Sequence, residues 1–338
     1  MVKVCIIGFG GIAQSHRAAY ENLEKMGIAK LVGVCDIRPE MFEKHLAINI
    51  DTGSAATEKN FNCYTDRNEM LAKEKPDTVD ICLPTYLHAD IAVEMLERGY
   101  NVQSEKPMSL TYADCQRMLA AAKKSGKQLM IGQVLHFSPA YRFLKDAVED
   151  GRYGKVITAF FQRLSSPPKW SFEDWFLNYD RSGGAMTDLH VHDVDMVRWL
   201  FGDPEKVSCV AKEVVCKYDS CFTNFYYPDK AVTAIGDWGL RGHEFGASFR
   251  VCFEKAVVEM DPSREIVVIP SDGGEKQHPE LCKRNMMELE IEYFSRVCAG
   301  EFENTENRPE GSAETIRLIE TMRKSAEANG EIIKYQEG

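Results

Sequence analysis

Short, continuous apolar runs punctuate the first third of the chain: Lys3–Ile7, Leu31–Cys35, Thr78–Leu83, Asn101–Ser104 and Gln128–Ile131. They do not alternate with polar residues, so they predict strands buried on both faces. Helical spacing fills the gaps over Ala13–Lys25, Glu69–Lys73, His88–Arg98 and Tyr112–Lys124. Gly27, Gly99 and Gly126 follow three of these segments, where a helix C-terminus takes a residue at positive φ. Strand–helix alternation of this kind predicts an α/β fold, a doubly wound parallel sheet with helices on both faces.

Beyond Gln133 the pattern changes. A helix over Pro139–Glu149 leads to a strand over Lys155–Leu164, then a Ser-, Pro- and Trp-rich loop, then a helix from Ala185 to Phe201. Strand-like runs follow without intervening helices: Lys206–Cys216, Phe222–Tyr227, Ala231–Trp238, Ala247–Phe253, Ala256–Met260 and Glu265–Ile269. Helices over Pro279–Ala299 and Ser312–Ala328 precede a last strand at Glu331–Tyr335. Consecutive strands predict an α+β domain with a mostly antiparallel sheet. The expected division is 1–132 for the first domain and 133–338 for the second.

Length and composition narrow the class. A chain of 338 residues favours two domains. Lysine plus arginine number 41 against 52 acidic residues, a net charge of −11. That balance, without a basic tract, excludes nucleic acid and anionic membranes as expected partners. No apolar run approaches the roughly 18 residues of a membrane span. The start lacks a signal-peptide layout, so a cytoplasmic location is expected. Eleven scattered cysteines without a C-x-x-C pair read as reduced, buried thiols.

The first strand runs into Gly8-Phe9-Gly10-Gly11-Ile12-Ala13, a G-x-G-x-x-A turn opening the first helix. The first glycine permits the tight turn and the second lets backbone approach a pyrophosphate. A small third residue allows close packing, and the helix N-terminus favours negative charge. Asp36 closes the second strand about twenty residues on, where a carboxylate takes both ribose hydroxyls. Asp36 would repel a 2′-phosphate, so NAD is expected in preference to NADP; Arg38 tempers this, because its guanidinium can meet such a phosphate or stack on adenine. Gly8, Gly10, Gly11 and Ile12 are thus the phosphate turn, and Asp36, Ile37 and Arg38 the ribose edge. Leu83, Pro84, Thr85 and His88 leave the fourth strand and are candidates to line the nicotinamide side, with capping of the next helix the alternative task for His88.

Glu105-Lys106-Pro107 ends the fifth strand, at the edge where such sheets hold ligands. The densest signal is Gly183-Gly184-Ala185-Met186-Thr187-Asp188-Leu189-His190-Val191-His192-Asp193-Val194-Asp195. Read as one helix, it turns His190 and His192 about 200° apart at ~100° per residue, which argues against a shared metal ion. His190 falls on the stripe of Val194, Val197 and Phe201 and is expected in the core. Asp188 and His192, four apart, share a face. A carboxylate beside an imidazole orients it as a base for an alcohol proton.

Together Gly8-x-Gly10-x-x-Ala13, Glu105-Lys106-Pro107 and Gly-Gly … Asp188-x-x-x-His192-x-x-Asp195 resemble the Gfo/Idh/MocA oxidoreductases, the glucose–fructose oxidoreductase and inositol dehydrogenase group. The resemblance covers essentially the whole chain. It implies a Rossmann domain joined to a domain with an open antiparallel sheet, assembly as a homodimer or homotetramer, and NAD or NADP as cofactor. It implies a hydride transfer to or from a secondary alcohol of a sugar, inositol or related polyol. Lys106 would touch substrate and nicotinamide, and Asp188 and His192 would match the acid/base pair. Two departures are histidine at 190, where the family often has glycine, and His136, where arginine is frequent. His136 is thereby a substrate-binding candidate.

Trp170 and Trp175, in the loop before the catalytic segment, are candidates to stack on a sugar ring, beside Lys169, Asp174 and Arg181 for its polar groups. Pinning the loop or an interface is the alternative task for both tryptophans. Two other functions fit the same cofactor turn: glycoside cleavage through transient oxidation by NAD, and dinucleotide-responsive binding without catalysis.

Overall fold

The computed structural model describes residues 1–43, 60–168, 171–263 and 265–335. The first part of the chain runs β1 (Val2–Ile7), α1 (Gly11–Lys25), β2 (Ala29–Cys35), β3 (Asn62–Tyr64), α2 (Arg67–Glu74), β4 (Thr78–Ile81), α3 (His88–Glu97), β5 (Asn101–Glu105), α4 (Tyr112–Ser125) and β6 (Leu129–Gly132). The six strands pair in parallel in the order β3-β2-β1-β4-β5-β6, the doubly wound order of dinucleotide-binding sheets. Local chemistry places the elements. Thr111 caps α4 by accepting from the Asp114 amide at 3.1 Å, and Gly126 ends it at φ 67°. The short β3 carries no apolar run, which hid it from the sequence pattern.

The second part runs α5 (Pro139–Asp150), β7 (Val156–Leu164), α6 (Tyr179–Ser182), α7 (Gly184–Asp188), α8 (Val191–Phe201), β8 (Lys206–Lys212), β9 (Ser220–Tyr226), β10 (Ala231–Asp237), β11 (Gly246–Phe253), β12 (Ala256–Met260), β13 (Ile266–Pro270), α9 (Met286–Cys298), α10 (Pro309–Glu327) and β14 (Ile333–Lys334). Its sheet has the order β13-β12-β11-β7-β10-β9-β8-β14. Only β7 and β10 pair in parallel; the other pairs are antiparallel.

The expected cut between 132 and 133 does not describe the packing. One compact unit is Met1–Phe137 with Arg284–Ala313, and the other is Ser138–Lys283 with the chain from Glu314 onward. The return has a physical cause: α9 carries an apolar face onto the first unit, where Phe294 and Val297 pack with Met130. The Asn22 amide donates to Glu288 at 2.9 Å, and the Asn307 amide donates to the Ile131 carbonyl at 2.7 Å. The helix expected from Pro279 begins at Met286, capped by Asn285, whose side chain accepts from the Met287 amide.

A second correction concerns the helix expected over Ala185–Phe201. It is broken into α7 and α8: the Leu189 and His190 amides both donate to the Ala185 carbonyl, and the new helix starts on the His190 carbonyl. The cause is His190 itself. Its fully buried ring lies against Gly236 of β10, where an added Cβ would stand 2.6 Å from that of His190. Nε2 lies 3.0 Å from the Thr223 hydroxyl of β9. Next to it Asp193 takes a buried bidentate bond from Arg163 of β7, at 3.0 and 3.1 Å. Asp188 and His192 therefore stand on either side of a break, at the end of α7 and the start of α8, and not on one face of a single helix.

Burial, with the Arg163 charge adding to it, pushes the His190 pKa down to about 3. A histidine held neutral in the fold takes up a proton on unfolding below its unfolded pKa of about 6.5. Stability is then present above pH 6.5 and lost as pH falls from there toward 3, with a slope of about 1.4 kcal/mol per pH unit from this residue. Urea unfolding of wild type and His190→Asn across pH 7.5 to 4.5 measures it. The variant is less stable at pH 7, and its deficit shrinks as the pH drops; a pH-independent deficit contradicts the assignment.

Candidate functional site

In the first unit, strand register aligns the carboxyl ends. Ile7 of β1 pairs with Cys35 of β2 on one side and Ile81 of β4 on the other; Ile81 pairs with Ser104 of β5, and Glu105 with Gly132 of β6. The residues that follow these ends therefore stand along one edge: Gly8, Asp36, Cys82 to Thr85, Lys106 and Gln133. This edge is where a doubly wound sheet binds its ligand.

Two glycines in the first turn have different reasons. Gly8 sits at φ 90°, and a Cβ there would meet the Cys82 carbonyl at 2.5 Å, so the protein's own packing demands it. At Gly10, the N-cap of α1, a Cβ would touch nothing within 4 Å. Its smallness leaves a cradle open at a helix N-terminus that has no side-chain cap and no acidic residue in its first turn. Such an end suits a phosphate. Farther along, the buried Thr85 hydroxyl has no hydrogen-bond partner. Cradle and unpaired hydroxyl fit a dinucleotide.

Asp36 is buried at the end of β2. One carboxylate oxygen accepts from the Phe9 amide at 2.9 Å; the other accepts from the Arg38 amide at 2.9 Å and its guanidinium at 3.3 Å. Asp36 thus ties the glycine turn to the ribose edge and holds Arg38. The oxygen that accepts from Phe9 keeps a lone pair for a hydroxyl. Ile37 is exposed and Arg38 half-buried.

His88, expected on the nicotinamide side, is fully buried. Its ring nitrogens lie 2.8 Å from the Pro107 and Leu83 carbonyls. Burial lowers its pKa, and a neutral ring donates to one carbonyl at a time. The side chain braces the loop after β4 against the one after β5. Lys106, half-buried, follows the buried Glu105, whose carboxylate accepts from the Lys106 amide at 3.1 Å. The bond between Lys106 and Pro107 is cis. His136 is buried, with Nδ1 2.8 Å from the Glu306 carbonyl.

In the second unit Asp188 ends α7, buried, and His192 lies half-buried in the first turn of α8. The neighbouring carboxylates are engaged elsewhere: Asp193 with Arg163, and Asp195 with the Thr315 hydroxyl at 2.8 Å. Gly184 is at φ 68° against the Lys217 carbonyl, leaving no space for a Cβ and fixing where α7 begins. Trp175 stacks on Phe176 at 3.9 Å and packs on a cluster of Phe176, Ala185, Leu189, Cys216 and Trp238. It thereby anchors the loop to the segment that carries Asp188. Trp170 and Lys169 lie outside the described residues. His16, which the sequence reading passed over, bridges Asp80 and Glu105 behind the edge.

A parallel sheet with a glycine turn, an open helix N-terminus and an acidic second-strand end defines a dinucleotide-binding protein. Residues 2–133 match the GFO/IDH/MocA oxidoreductase family with its NAD-binding Rossmann fold, and residues 141–259 match a GFO/IDH/MocA C-terminal domain. The chain belongs to this family. It is 31% identical over 208 residues to the myo-inositol 2-dehydrogenase of Thermotoga maritima, covering 60% of this chain and 55% of that protein. It is 29% identical over 196 residues to the 2,7-anhydro-N-acetylneuraminate hydratase of Mediterraneibacter gnavus, covering 56% and 52%. The matches thus span about half the length of these curated relatives. Among solved structures, levoglucosan dehydrogenase in complex with NADH and L-sorbose superposes with a TM-score of 0.83 at 18% identity, over 100% of this chain and 99% of that one. That likeness shows the fold.

NADH binds more tightly than NADPH to the wild type. Asp36→Ala weakens NADH by removing the acceptor for the Phe9 amide and a ribose, and it narrows the gap to NADPH by removing the repulsion. Fluorescence titration with both reduced cofactors measures this. A wild type preferring NADPH overturns it and makes Arg38 a phosphate ligand.

Proposed function

We propose that the protein is an NAD-dependent dehydrogenase acting on a secondary alcohol of a sugar, inositol or related polyol. The observation that carries this reading is Lys106, a half-buried lysine that follows a strand end on the same sheet edge as the glycine turn, its backbone held by the buried Glu105. The relatives named as sugar and inositol dehydrogenases support it. Gly8 to Ile12 would hold the pyrophosphate, Asp36 the ribose, and the segment from Leu83 to Thr85 the nicotinamide side. When bound, the nicotinamide supplies the acceptor for hydride. Lys106 donates to the substrate oxygen and stabilises its growing negative charge as the C–H bond breaks. His192 takes the hydroxyl proton and Asp188 orients that imidazole. Ketone reduction runs the same steps in reverse.

A polyol and sugar panel with NAD and NADP, read as absorbance of reduced cofactor, tests the activity. His192→Ala lowers kcat by about 10²–10⁴, the range for a lost general base, and leaves NADH affinity close to wild type. Wild-type turnover by His192→Ala together with a dead His190→Ala would show that the wrong histidine was chosen. The relative named as a hydratase favours a second reading, in which substrate is converted without release of reduced dinucleotide. Product forming without NADH accumulation selects it.

Assembly and location belong to the same proposal. The eleven cysteines, free where they stand, suit a reducing cytoplasm. The second unit's sheet leaves Val210, Phe222 and Tyr226 exposed on the face opposite the buried Cys209, Cys221 and Thr223. We assign that face to a homodimer or homotetramer contact. Phe222→Asp shifts the sedimenting mass to the monomer while NADH still binds; a wild type that sediments as a monomer at micromolar concentration rejects the assignment.

A further inference from the structure

The first unit buries a cluster of ionisable groups behind Lys106 that the roles above leave without a task. His16 lies on α1, Asp80 on β4, Glu105 at the end of β5 and Glu290 on α9; His16, Asp80 and Glu290 have no exposed surface. His16 Nδ1 is 2.7 Å from one Asp80 oxygen, and Nε2 is 2.9 Å from one Glu105 oxygen. The Tyr20 hydroxyl donates to the same Asp80 oxygen at 2.9 Å. Ionised carboxylates only accept, and a neutral imidazole donates from one nitrogen only. Bonding both acceptors takes a ring with two protons.

The energetics agree with the geometry. Burial opposes charge on His16, but the charges and hydrogen bonds of Asp80 and Cys82 together hold the ring's pKa well above the ordinary range. Burial likewise opposes charge on Glu105, but the His16 hydrogen bond and charge keep its pKa low. Neither oxygen of Glu290 has a hydrogen-bond partner, and burial followed by the Glu105 charge pushes this carboxyl well above the carboxylate range. Glu290 is thus a neutral acid. One cation then lies between two carboxylates, and the Lys106 ammonium balances the second. A charge this deep holds its neighbours tightly, because removing one partner leaves the rest uncompensated.

The second Glu105 oxygen accepts from the Lys106 amide, which completes a path from the ring to the lysine backbone. We propose that His16 is the positioning residue for Lys106: donating from both ring nitrogens, it fixes Glu105 against Asp80, and Glu105 fixes the Lys106 main chain. This rests on Lys106 acting on substrate as assigned above. The Cys82 sulfur also lies within 4.8 Å of the Asp80 and His16 donor atoms, a spacing that a metal ion could use in place of the ring's second proton.

The test uses the full-length protein with NADH bound. Nitrogen-15 spectra of wild type show His16 with both ring nitrogens protonated at pH 8; a singly protonated ring, or one zinc per chain in the purified protein, overturns the proposal. In His16→Gln the Lys106 amide exchanges with deuterium at least tenfold faster while amides of β7 keep their rates. Its kcat falls tenfold or more, with NADH affinity within threefold of wild type. Should the single variant fail to fold, His16→Gln/Glu105→Ala relieves the stranded charge and removes the acceptor of the Lys106 amide; Lys106 exchange is at least tenfold faster than wild type there, and a wild-type rate overturns the proposal. Glu290→Gln, a neutral amide for a neutral acid, behaves as wild type. Unchanged Lys106 exchange in a folded His16 variant defeats the proposal. A wild type that turns over no polyol defeats the functional reading alone, since spectra and exchange still judge His16.

Discussion

The register of β1 is the constraint on which the rest of the first unit depends. Ile7 pairs at once with Cys35 and Ile81, so the strands on either side end level with it. Parallel pairing allows no slippage when both faces are buried, because a one-residue shift would turn every side chain to the wrong layer. Level ends put Gly8, Asp36, Thr85 and Lys106 on one edge from four distant stretches of chain. Gly8 shows how tight the fit is, since its backbone stands against the Cys82 carbonyl with no room for a Cβ.

Much of this was legible in the sequence because the signals are local. Apolar runs marked five strands of the first sheet, and a glycine pattern followed by Asp36 marked the nucleotide edge. What stayed hidden is long-range. β3 has no apolar run and is recruited by pairing Cys63 with Val34. The stretch from Arg284 reads as part of the second domain until Phe294 finds Met130. Periodicity carried a helix through Ala185–Phe201, but the His190 ring, seated against Gly236, and the Asp193–Arg163 pair break it at Leu189. No spacing rule reaches from position 190 to position 236.

The site divides the same way. Lys106 stood out through its neighbours in sequence, whereas His16 did not, because its partners Asp80 and Glu105 are 64 and 89 residues away. His88 looked like a lining residue and is a brace, its ring reaching two main-chain carbonyls. Sequence shows which residue types are present. Whether a titratable side chain faces a ligand or holds another residue is decided by what the fold brings beside it.

Among the described residues, each unit contains one buried cation matched to carboxylate: His16 between Asp80 and Glu105 in the first, Arg163 on Asp193 in the second. Apolar residues of similar volume would often be as stable or more so, since desolvating such charges costs several kcal/mol each. What the charges supply is directional. An imidazolium with two carboxylates fixes three elements at stated atoms, and the Arg163 fork seats α8 on β7 through two bonds. In both units the pinned segment lies next to a residue assigned to chemistry: Glu105 precedes Lys106, and Asp193 follows His192. An apolar patch packs equally well after a small slide, whereas a bidentate or two-ended ionic contact does not, and sub-ångström placement is what a group acting on a forming alkoxide requires.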